Sequence, residues 1–443
     1  MKIILGVYLI LLFVIGGVFF KNKPRSYTDF IIAGRRRGQI LVLCSLMATM
    51  IGGSATFGIA SQGWNIGFPA FWWLGVGSIG LFLQSRLISE RVRRIEANTL
   101  PQVANITVGQ KARFILSAVI VISWLGVIAG QFAALGQIVP LFAGSDHTGL
   151  CIFFAAAIVI AFTAAGGQFS VMRTDTLMFF FIFLSTLAAT IFLKVKSGAP
   201  IPITEIQAFN DAFSPFDLLV LLFVIGGTYF IGPDVLSRSM AAKDGITARR
   251  ASLFAAIVLL AFNCMMIFII LWARENVSIP EGINPLVYLM NHTFSPWISL
   301  FFALGLISAL LSSASTCLIT TAGIIQNDLI RKENVTSMRC FILLIGIVAT
   351  LLALSNSNII SLLTGAYSVY APGLVFPLCV AIRCYPKHRI KEKIWIAAVI
   401  QGSCFGILGN LTSLSLLPFI GMLFSLFIAL ASIKHKKESQ IHI

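Results

Sequence analysis

Long apolar stretches separated by short polar or charged segments dominate this 443-residue chain. Most of the stretches reach or approach the about 20 residues that a helix needs to cross a bilayer. The first stretch lacks the basic start and small-residue cleavage site of a signal peptide, so we expect it to remain as a helix. The pattern predicts thirteen membrane-spanning helices, at residues 3–20, 40–61, 67–88, 114–137, 149–165, 176–194, 217–241, 250–272, 297–325, 338–355, 359–382, 394–409 and 413–433.

Composition agrees with a membrane protein, because the chain is 58% hydrophobic and 11% charged, whereas about a quarter of the residues of a soluble domain are charged. No loop is long enough to fold alone, so we expect one transmembrane domain over residues 1–443. The spans offer almost no convergent titratable groups, which argues against a membrane-embedded enzyme. The eight cysteines and five histidines are scattered, and their spacing predicts neither a metal site nor a disulfide framework.

The net charge of +16 is explained by topology rather than by a nucleic-acid partner. Of the 32 basic residues, 28 fall in the tail and in the loops after the odd-numbered spans. Short loops rich in Lys and Arg stay in the cytoplasm. We therefore expect a multi-pass protein of the plasma membrane, of the bacterial inner-membrane type, with its N-terminus outside and its C-terminus in the cytoplasm. The oligomeric state stays open.

The second span contains a glycine-rich stretch, ATMIGGSATFGIASQG, from Ala48 to Gly63. Adjacent Gly52 and Gly53, followed by Ser54, weaken the middle of a helix, since glycine costs about 1 kcal/mol there. Small residues also allow close helix packing, and that is one interpretation. The other is a broken helix whose freed backbone groups bind an ion and a solute at mid-membrane.

A second candidate break lies five spans later, in VIGGTYFIGPDVLSRS, from Val224 to Ser239. Two sets of five helices that each begin with a broken helix predict an inverted repeat. The predicted divisions are an N-terminal helix and loop at 1–39, a first repeat at 40–194, a second repeat at 217–383, and two helices with a basic tail at 394–443. In the external loop around residues 276–296, Asn284-Pro285 predicts the start of a short re-entrant or surface helix.

The ninth span supplies hydroxyl groups, because Ala309, Ser312 and Ser313 fall at i, i+3 and i+4 on one helix face. In an apolar helix such hydroxyls often bond back to their own backbone carbonyls. Alternatively, two adjacent hydroxyls beside a broken helix supply oxygen ligands. Neutral oxygens suit sodium better than calcium or magnesium.

Five segments in this order resemble the sodium:solute symporter family, which includes sodium/proline, sodium/pantothenate and sodium/galactose carriers. The resemblance covers nearly the whole chain and rests on YTDFIIAGRR (27–36), ATMIGGSATFGIASQG (48–63), TLPQVANITVGQKAR (99–113), AAGGQFSVMRTDTLMFF (164–180) and SMAAKDGITARRAS (239–252). It implies an all-α, LeuT-like fold of about thirteen helices with inverted five-helix repeats. It also implies a co-transported sodium ion.

The resemblance assigns the sodium site to backbone carbonyls and hydroxyls of Ala48, Ile51, Ala309, Ser312 and Ser313. It gives Asp175 a role in sodium exit to the cytoplasm. Without the resemblance, Asp175 is equally well a solvated loop acid beside Arg173.

Candidate solute-binding residues surround the two breaks: Gly52, Gly53, Ser54, Gln131, Thr228, Tyr229, Asp234 and Tyr367. Three of them have a plainer alternative: a helix–helix hydrogen bond for Gln131, a packed aromatic for Tyr367, and an i,i+4 ion pair with Arg238 for Asp234. Met50, Thr228 and Tyr229 depart from the residues that relatives carry, which argues against their substrates. A sugar needs more amide and acid partners, so a small amino acid, carboxylate or similar metabolite fits better, and the helix N-termini favour its anionic group.

The sequence therefore predicts sodium-coupled symport of a small organic solute into the cell by alternating access. Two alternatives remain: a membrane-embedded solute sensor that acts through a partner, and a proton-coupled carrier of the same fold. The expected partners are the solute, sodium and the lipid bilayer.

Overall fold

The computed structural model describes residues 2–16, 26–143, 147–196, 198–202, 205–414 and 416–434, which are almost entirely helical. Three π-helical segments, Ser54–Gly58, Leu222–Gly226 and Ile325–Ile330, interrupt or extend the α-helices. A two-residue strand β1 (Arg389–Ile390) pairs antiparallel with β2 (Ile433–Lys434). The α-helices are α1 (Lys2–Ile15), α2 (Tyr27–Ile32), α3 (Gln39–Met50), α4 (Ile59–Ile66), α5 (Phe71–Leu87), α6 (Ser89–Ile95), α7 (Leu100–Thr107), α8 (Gln110–Ala143), α9 (Thr148–Val195), α10 (Pro215–Leu221), α11 (Gly227–Phe230), α12 (Pro233–Ala241), α13 (Gly245–Asn276), α14 (Pro285–His292), α15 (Pro296–Ile324), α16 (Val335–Ser355), α17 (Ile359–Cys384), α18 (Glu392–Thr412) and α19 (Leu416–Ala431).

Within the described residues, eight helical segments are long and apolar enough to cross a membrane, or nine with one sharply bent pair. The multi-pass helical fold is thereby confirmed, whereas the division into thirteen spans stays a prediction. Part of the predicted first span, 17–20, lies outside the described residues, as do the predicted cytoplasmic residues Lys21, Lys23, Arg25, Lys436 and Lys437.

Apolar side chains cover the outside of the bundle as well as its interior. Ile122 is 68% exposed and Phe427 is 67% exposed, which suits contact with lipid tails. In the most apolar 18-residue stretch of α15, 89% of the residues are buried, against 39% in α16. The helix that carries Ser312 and Ser313 is therefore the central one, surrounded by protein rather than by lipid.

The connection between the predicted spans 149–165 and 176–194 is shorter than expected. Two helices meet at a kink at Gly167, where φ is 61° and ψ is −166°, and the rest of Thr148–Val195 is helical. A Cβ atom at Gly167 would lie 2.7 Å from the ring of Phe30. One glycine with left-handed φ thus changes the helix path without a loop, and Asp175 lies inside a helix.

We predict that Gly167→Ala lowers the free energy of unfolding by about 1–3 kcal/mol, because a side chain strains this backbone conformation and clashes with Phe30. The measurement is thermal unfolding of the purified protein in detergent. Gly38→Ala is the matched control, since Gly38 has φ of −72° and no heavy atom within 4 Å of its Cβ position. Equal midpoints for the two variants would contradict the prediction.

Candidate transport site

The first predicted break is present as a sharp bend between two helices. Helix α3 ends at Met50, Ile51 has φ of −86° and ψ of 78°, and the chain turns by 57° before continuing through Ser54–Ile66. The backbone N–H of Gly53 donates to Oε1 of Gln131 at 2.7 Å. A membrane-buried donor freed by the break thus finds a partner on α8, as it must where no water is available.

Close packing explains the glycines as well. A Cβ atom at Gly52 would lie 2.7 Å from Oγ of Ser313 and 2.9 Å from Oε1 of Gln131. The break and the close packing are therefore both present in this stretch, since the break brings bare backbone against α8 and α15. Binding of an ion and a solute by the freed backbone groups stays a prediction.

The second predicted break is also present, but it is gentler. Ile231 (φ −137°, ψ 65°) and Gly232 (φ −95°, ψ 144°) separate α11 from α12, yet Pro215–Ala241 remains a single span. The freed carbonyl of Ile231 accepts a hydrogen bond from the hydroxyl of Tyr370 on α17. Sequence reasoning missed Tyr370, because nothing in its local pattern links it to a residue 139 positions earlier.

A small cavity of about 30 Å³ lies between the two breaks. Seven of the eight predicted solute-binding residues line it: Gly52, Ser54, Gln131, Thr228, Tyr229, Asp234 and Tyr367. Gly53 contributes through its N–H to Gln131. The remaining lining residues are Thr49, Met50, Trp124, Val127, Val235, Ser313 and Cys317. Residues from α3, α8, α11, α12, α15 and α17 thus converge on one point.

The candidate side chains that line the cavity have different hydrogen-bond partners. Gln131 forms the expected hydrogen bond between helices, and its partner is the backbone N–H of Gly53 at the first break. The Thr228 hydroxyl bonds back to the carbonyl of Ile225 at 2.6 Å. The Tyr229 hydroxyl donates to the carbonyl of Met50 at 3.4 Å, so it ties the second broken helix to the end of α3.

The hydroxyl face of α15 packs against the first break. Oγ of Ser313 donates to the carbonyl of Thr49 at 2.7 Å and lies 3.5 Å from that of Ala48. Oγ of Ser312 donates to Oδ1 of Asp175 at 2.6 Å. The structure thus brings Ala48 to Ser313 and Asp175 to Ser312, while Ile51 and Ala309 are completely buried on the same two segments.

Asp175 is fully buried, so the alternative of a solvated loop acid is wrong. Oδ2 of Asp175 accepts from Oγ of Ser45 at 2.5 Å and lies 3.3 Å from a guanidinium nitrogen of Arg238. The neighbouring Arg173 instead stacks over the ring of Phe169, 5.3 Å from its centroid. Asp175 therefore belongs to the buried polar cluster behind the cavity.

Arg238 is one of the 28 basic residues counted with the cytoplasmic loops, at the end of the predicted span 217–241, yet it lies in α12 and its side chain is fully buried. The same Nη2 that faces Asp175 donates to Oγ1 of Thr49 at 3.1 Å and to Oγ1 of Thr316. Among the described residues, no ion pair within 4 Å joins Arg238 to Asp234, so the proposed i,i+4 pair is not formed. Arg238 instead reaches an acid 63 positions away.

On the far side of the first break, Asn284 caps the predicted short helix α14. Its Nδ2 donates to the carbonyl of Phe57 at 3.1 Å and to Oγ of Ser61 at 2.9 Å. The Asn284-Pro285 start is confirmed, and α14 is attached to the broken helix itself.

We predict that Asp175→Asn lowers the free energy of unfolding by about 3–5 kcal/mol, because it leaves the Arg238 guanidinium buried without an anion. Adding Arg238→Met in the same chain should recover part of this loss, since neither charge is then buried alone. A double-mutant cycle from thermal or denaturant unfolding measures the coupling.

The control is the same cycle on an exposed pair, with Glu205→Gln and Arg274→Met, because Arg274 lies 3.8 Å from Glu205 and both side chains are partly exposed. Such a pair contributes about 0–1 kcal/mol. If the Asp175–Arg238 coupling is no larger than that of the exposed pair, the buried cluster does not hold the helices together.

Comparison with known proteins agrees with this architecture. The model of the sodium:solute symporter family matches residues 30–389. The osmoregulated proline transporter OpuE of Bacillus subtilis is 26% identical over 435 residues, covering 90% of this chain and 86% of its own length. The sodium/proline symporter of Haemophilus influenzae is 28% identical over 412 residues, covering 82% and 80%.

Two solved structures share the fold. A Na⁺-coupled sialic acid symporter in a substrate-bound outward-open state matches with a TM-score of 0.78, at 17% identity and 98% coverage of both chains. MhsT in complex with L-phenylalanine matches with a TM-score of 0.64, at 14% identity, over 90% of this chain and 99% of its own. With the family match over most of the sequence and two broken helices around one cavity, this chain belongs to the sodium:solute symporter family, whose members are sodium-coupled carriers and not enzymes.

Proposed function

We propose that this protein moves a small organic solute into the cell together with sodium by alternating access. The observation that carries the proposal is that Ser313 belongs to two sites. It lines the central cavity, and its hydroxyl contacts the carbonyls of Thr49 and Ala48 at the first break. An ion bound beside these carbonyls would affect Ser313, which also lines the cavity that the solute enters. The ion and the solute would then raise each other's affinity by the same factor.

The proposed sodium ligands are the carbonyls of Ala48, Ile51 and Ala309 and the hydroxyls of Ser312 and Ser313. A serine hydroxyl has one donor and two acceptor lone pairs. Ser312 and Ser313 therefore keep their hydrogen bonds to Asp175 and Thr49 while their oxygen lone pairs coordinate a cation. Because Asp175 adjoins Ser312, its carboxylate is positioned to attract the ion as it leaves toward the cytoplasm.

The proposed solute is a small amino acid, and L-proline is the first candidate because the two sequence relatives above are proline carriers by name. This choice goes against the expectation drawn from Met50, Thr228 and Tyr229, and the uptake measurement decides between them. The cavity of about 30 Å³ has room for about one water molecule. Solute entry therefore requires the two halves of the bundle to move apart, as alternating access demands. Each inward sodium gains about 2.3 kcal/mol per 100 mV of membrane potential, which drives the cycle.

The positions of the π-helical segments support the inverted repeat. Ser54–Gly58 follows the first break, whereas Leu222–Gly226 precedes the second. If the two broken helices run in opposite directions, both π-helical segments lie on the same, outer side of the membrane. With this arrangement we also propose thirteen spans, an external N-terminus, a cytoplasmic C-terminus and a bacterial inner-membrane location.

We predict that sodium, but not potassium or choline at equal ionic strength, raises the unfolding midpoint of the purified protein. A ligand that binds only the folded state adds about 2.7 kcal/mol at a hundredfold excess over its dissociation constant. The double variant Ser312→Ala/Ser313→Ala should lose the difference between sodium and potassium. A pH series alongside tests proton coupling, because the Asp175 carboxyl beside Ser312 is a titratable group at the same place.

Ser299→Ala is the matched control, since Ser299 is a buried serine on α15 whose hydroxyl donates to the carbonyl of Met290. It should keep the full sodium response. Uptake of labelled L-proline into proteoliposomes under an inward sodium gradient then distinguishes a carrier from a sensor. Identical midpoints in sodium and potassium, together with no gradient-driven uptake, would refute the proposed function.

A further inference from the structure

The charged side chains that line the central cavity are all of one sign. Among the residues that line it, Asp234 is the acid, and there is no Lys, Arg or His. Asp234 stands at the start of α12, directly after the second break, whereas α3 ends at the uncharged Met50 just before the first break. Asp234 is therefore the charged side chain that a solute in the cavity would touch.

That carboxylate has few partners within the described structure. Oδ1 accepts the backbone N–H of Val235 at 2.9 Å, and Oδ2 has only the thiol of Cys317, at 4.0 Å. A thiol is a weak donor. A carboxylate removed from water without a cation is unfavourable, so a cationic ligand is the missing partner that this geometry favours.

Arg238 does not fill that role, although it lies only one helical turn away. Its Nη2 is engaged by Asp175, Thr49 and Thr316. Its Nη1 faces Oγ of Ser237 at 3.3 Å. Arg238 thus forms its ion pair with Asp175 and makes no hydrogen bond to Asp234, although its charge is close enough to stabilise the Asp234 carboxylate. Direct polar contacts to the cavity face of Asp234 are left to the solute.

Aromatic side chains complete the surroundings of Asp234. Trp124, Tyr229 and Tyr367 line the same cavity, and the ring of Trp124 is packed edge-on against Tyr370 with centroids 4.7 Å apart. Aromatic faces attract cations, including substituted ammonium groups, through their quadrupoles. An acid among aromatic rings suits a positively charged, alkyl-substituted nitrogen.

The first break offers a solute carboxylate little access. One interpretation of the sequence is that backbone groups freed at this break bind the solute, with its anionic group at a helix N-terminus. In the structure the N–H of Gly53 donates to Gln131, and Ser313 and Gln131 fill the space where a Cβ atom of Gly52 would lie. A carboxylate would first have to displace Gln131, whereas a nitrogen cation meets Asp234 directly.

We propose that Asp234, with Trp124, Tyr229 and Tyr367, recognises the positively charged nitrogen of the solute and thereby sets its chemical class. The substrates are small molecules with a protonated or quaternary nitrogen, such as zwitterionic amino acids. Carboxylates that lack such a nitrogen are excluded. This inference rests on the proposed transport function and names the part of the solute that the site recognises.

The test uses the purified full-length chain in saturating sodium at pH 7 and three probes that share a five-membered ring. L-Proline carries both charges, pyrrolidine carries only the cation, and cyclopentanecarboxylate carries only the anion. We expect calorimetry or thermal shift to detect L-proline and pyrrolidine but not cyclopentanecarboxylate. Stronger binding of cyclopentanecarboxylate than of pyrrolidine, or no binding of either nitrogen probe, overturns the inference without any variant.

Variants then test the residue itself. Asp234→Asn should weaken both nitrogen probes at least tenfold, whereas Asp234→Glu should retain their preference over cyclopentanecarboxylate. Asp211→Asn, which changes an exposed acid, should leave all affinities unchanged. Pyrrolidine affinity within twofold of the unmodified protein in Asp234→Asn overturns the role of Asp234.

The sodium-induced shift of each variant, measured without any organic probe, separates the possible failures. A preserved sodium shift shows that the variant is folded and that the ion site is intact, so lost probe binding then reports on Asp234. If the unmodified protein responds to sodium but binds no nitrogen probe, this inference fails while the proposed function stands. If it neither responds to sodium nor supports uptake, the proposed function fails.

Discussion

A helix that breaks inside a membrane must give its freed backbone groups partners from protein, because lipid offers none. This requirement organises the centre of the molecule. At the first break, Gln131 accepts from Gly53, while Ser313 and Tyr229 donate to carbonyls at the end of α3. At the second, Tyr370 donates to Ile231. The partners come from α8, α15, α11 and α17, so satisfying the breaks also gathers the helices that enclose the cavity.

The buried charges obey a related constraint. Arg238 on α12 and Asp175 on α9 are both fully buried, and each would be strongly unfavourable alone. Hydroxyls complete their hydrogen bonding: Ser45 and Ser312 donate to Asp175, while Thr49 and Thr316 accept from Arg238. Four helices, α3, α9, α12 and α15, are therefore linked at one point. That point adjoins both the proposed ion ligands and the wall of the cavity.

Small residues and hydroxyls thus have two functions at the same positions. Gly52 gives α15 and Gln131 close access to the backbone, and the resulting contact brings Ser313 to the carbonyls of α3. A bulkier residue would separate these groups. Packing and the proposed ion binding are consequently compatible explanations of the glycine-rich stretch, since the same close approach would serve both.

The sequence by itself determined the features that depend on local composition. Hydropathy predicted the membrane class, the Gly52-Gly53 and Gly232-Pro233 segments predicted the breaks, and the spacing of Ala309, Ser312 and Ser313 predicted a hydroxyl face. These follow from neighbours a few residues apart. Most candidate cavity residues were found in the same way, because each lies near a break or carries a polar group in an apolar helix.

Only the tertiary structure decided which groups became partners. Asp175 and not Asp234 pairs with Arg238, Tyr370 satisfies a carbonyl 139 positions earlier, and Gln131 occupies the N–H that seemed free for a solute. The kink at Gly167 likewise replaces a longer predicted connection. Such choices depend on distances between helices far apart in the chain, and periodicity within one helix carries no information about them.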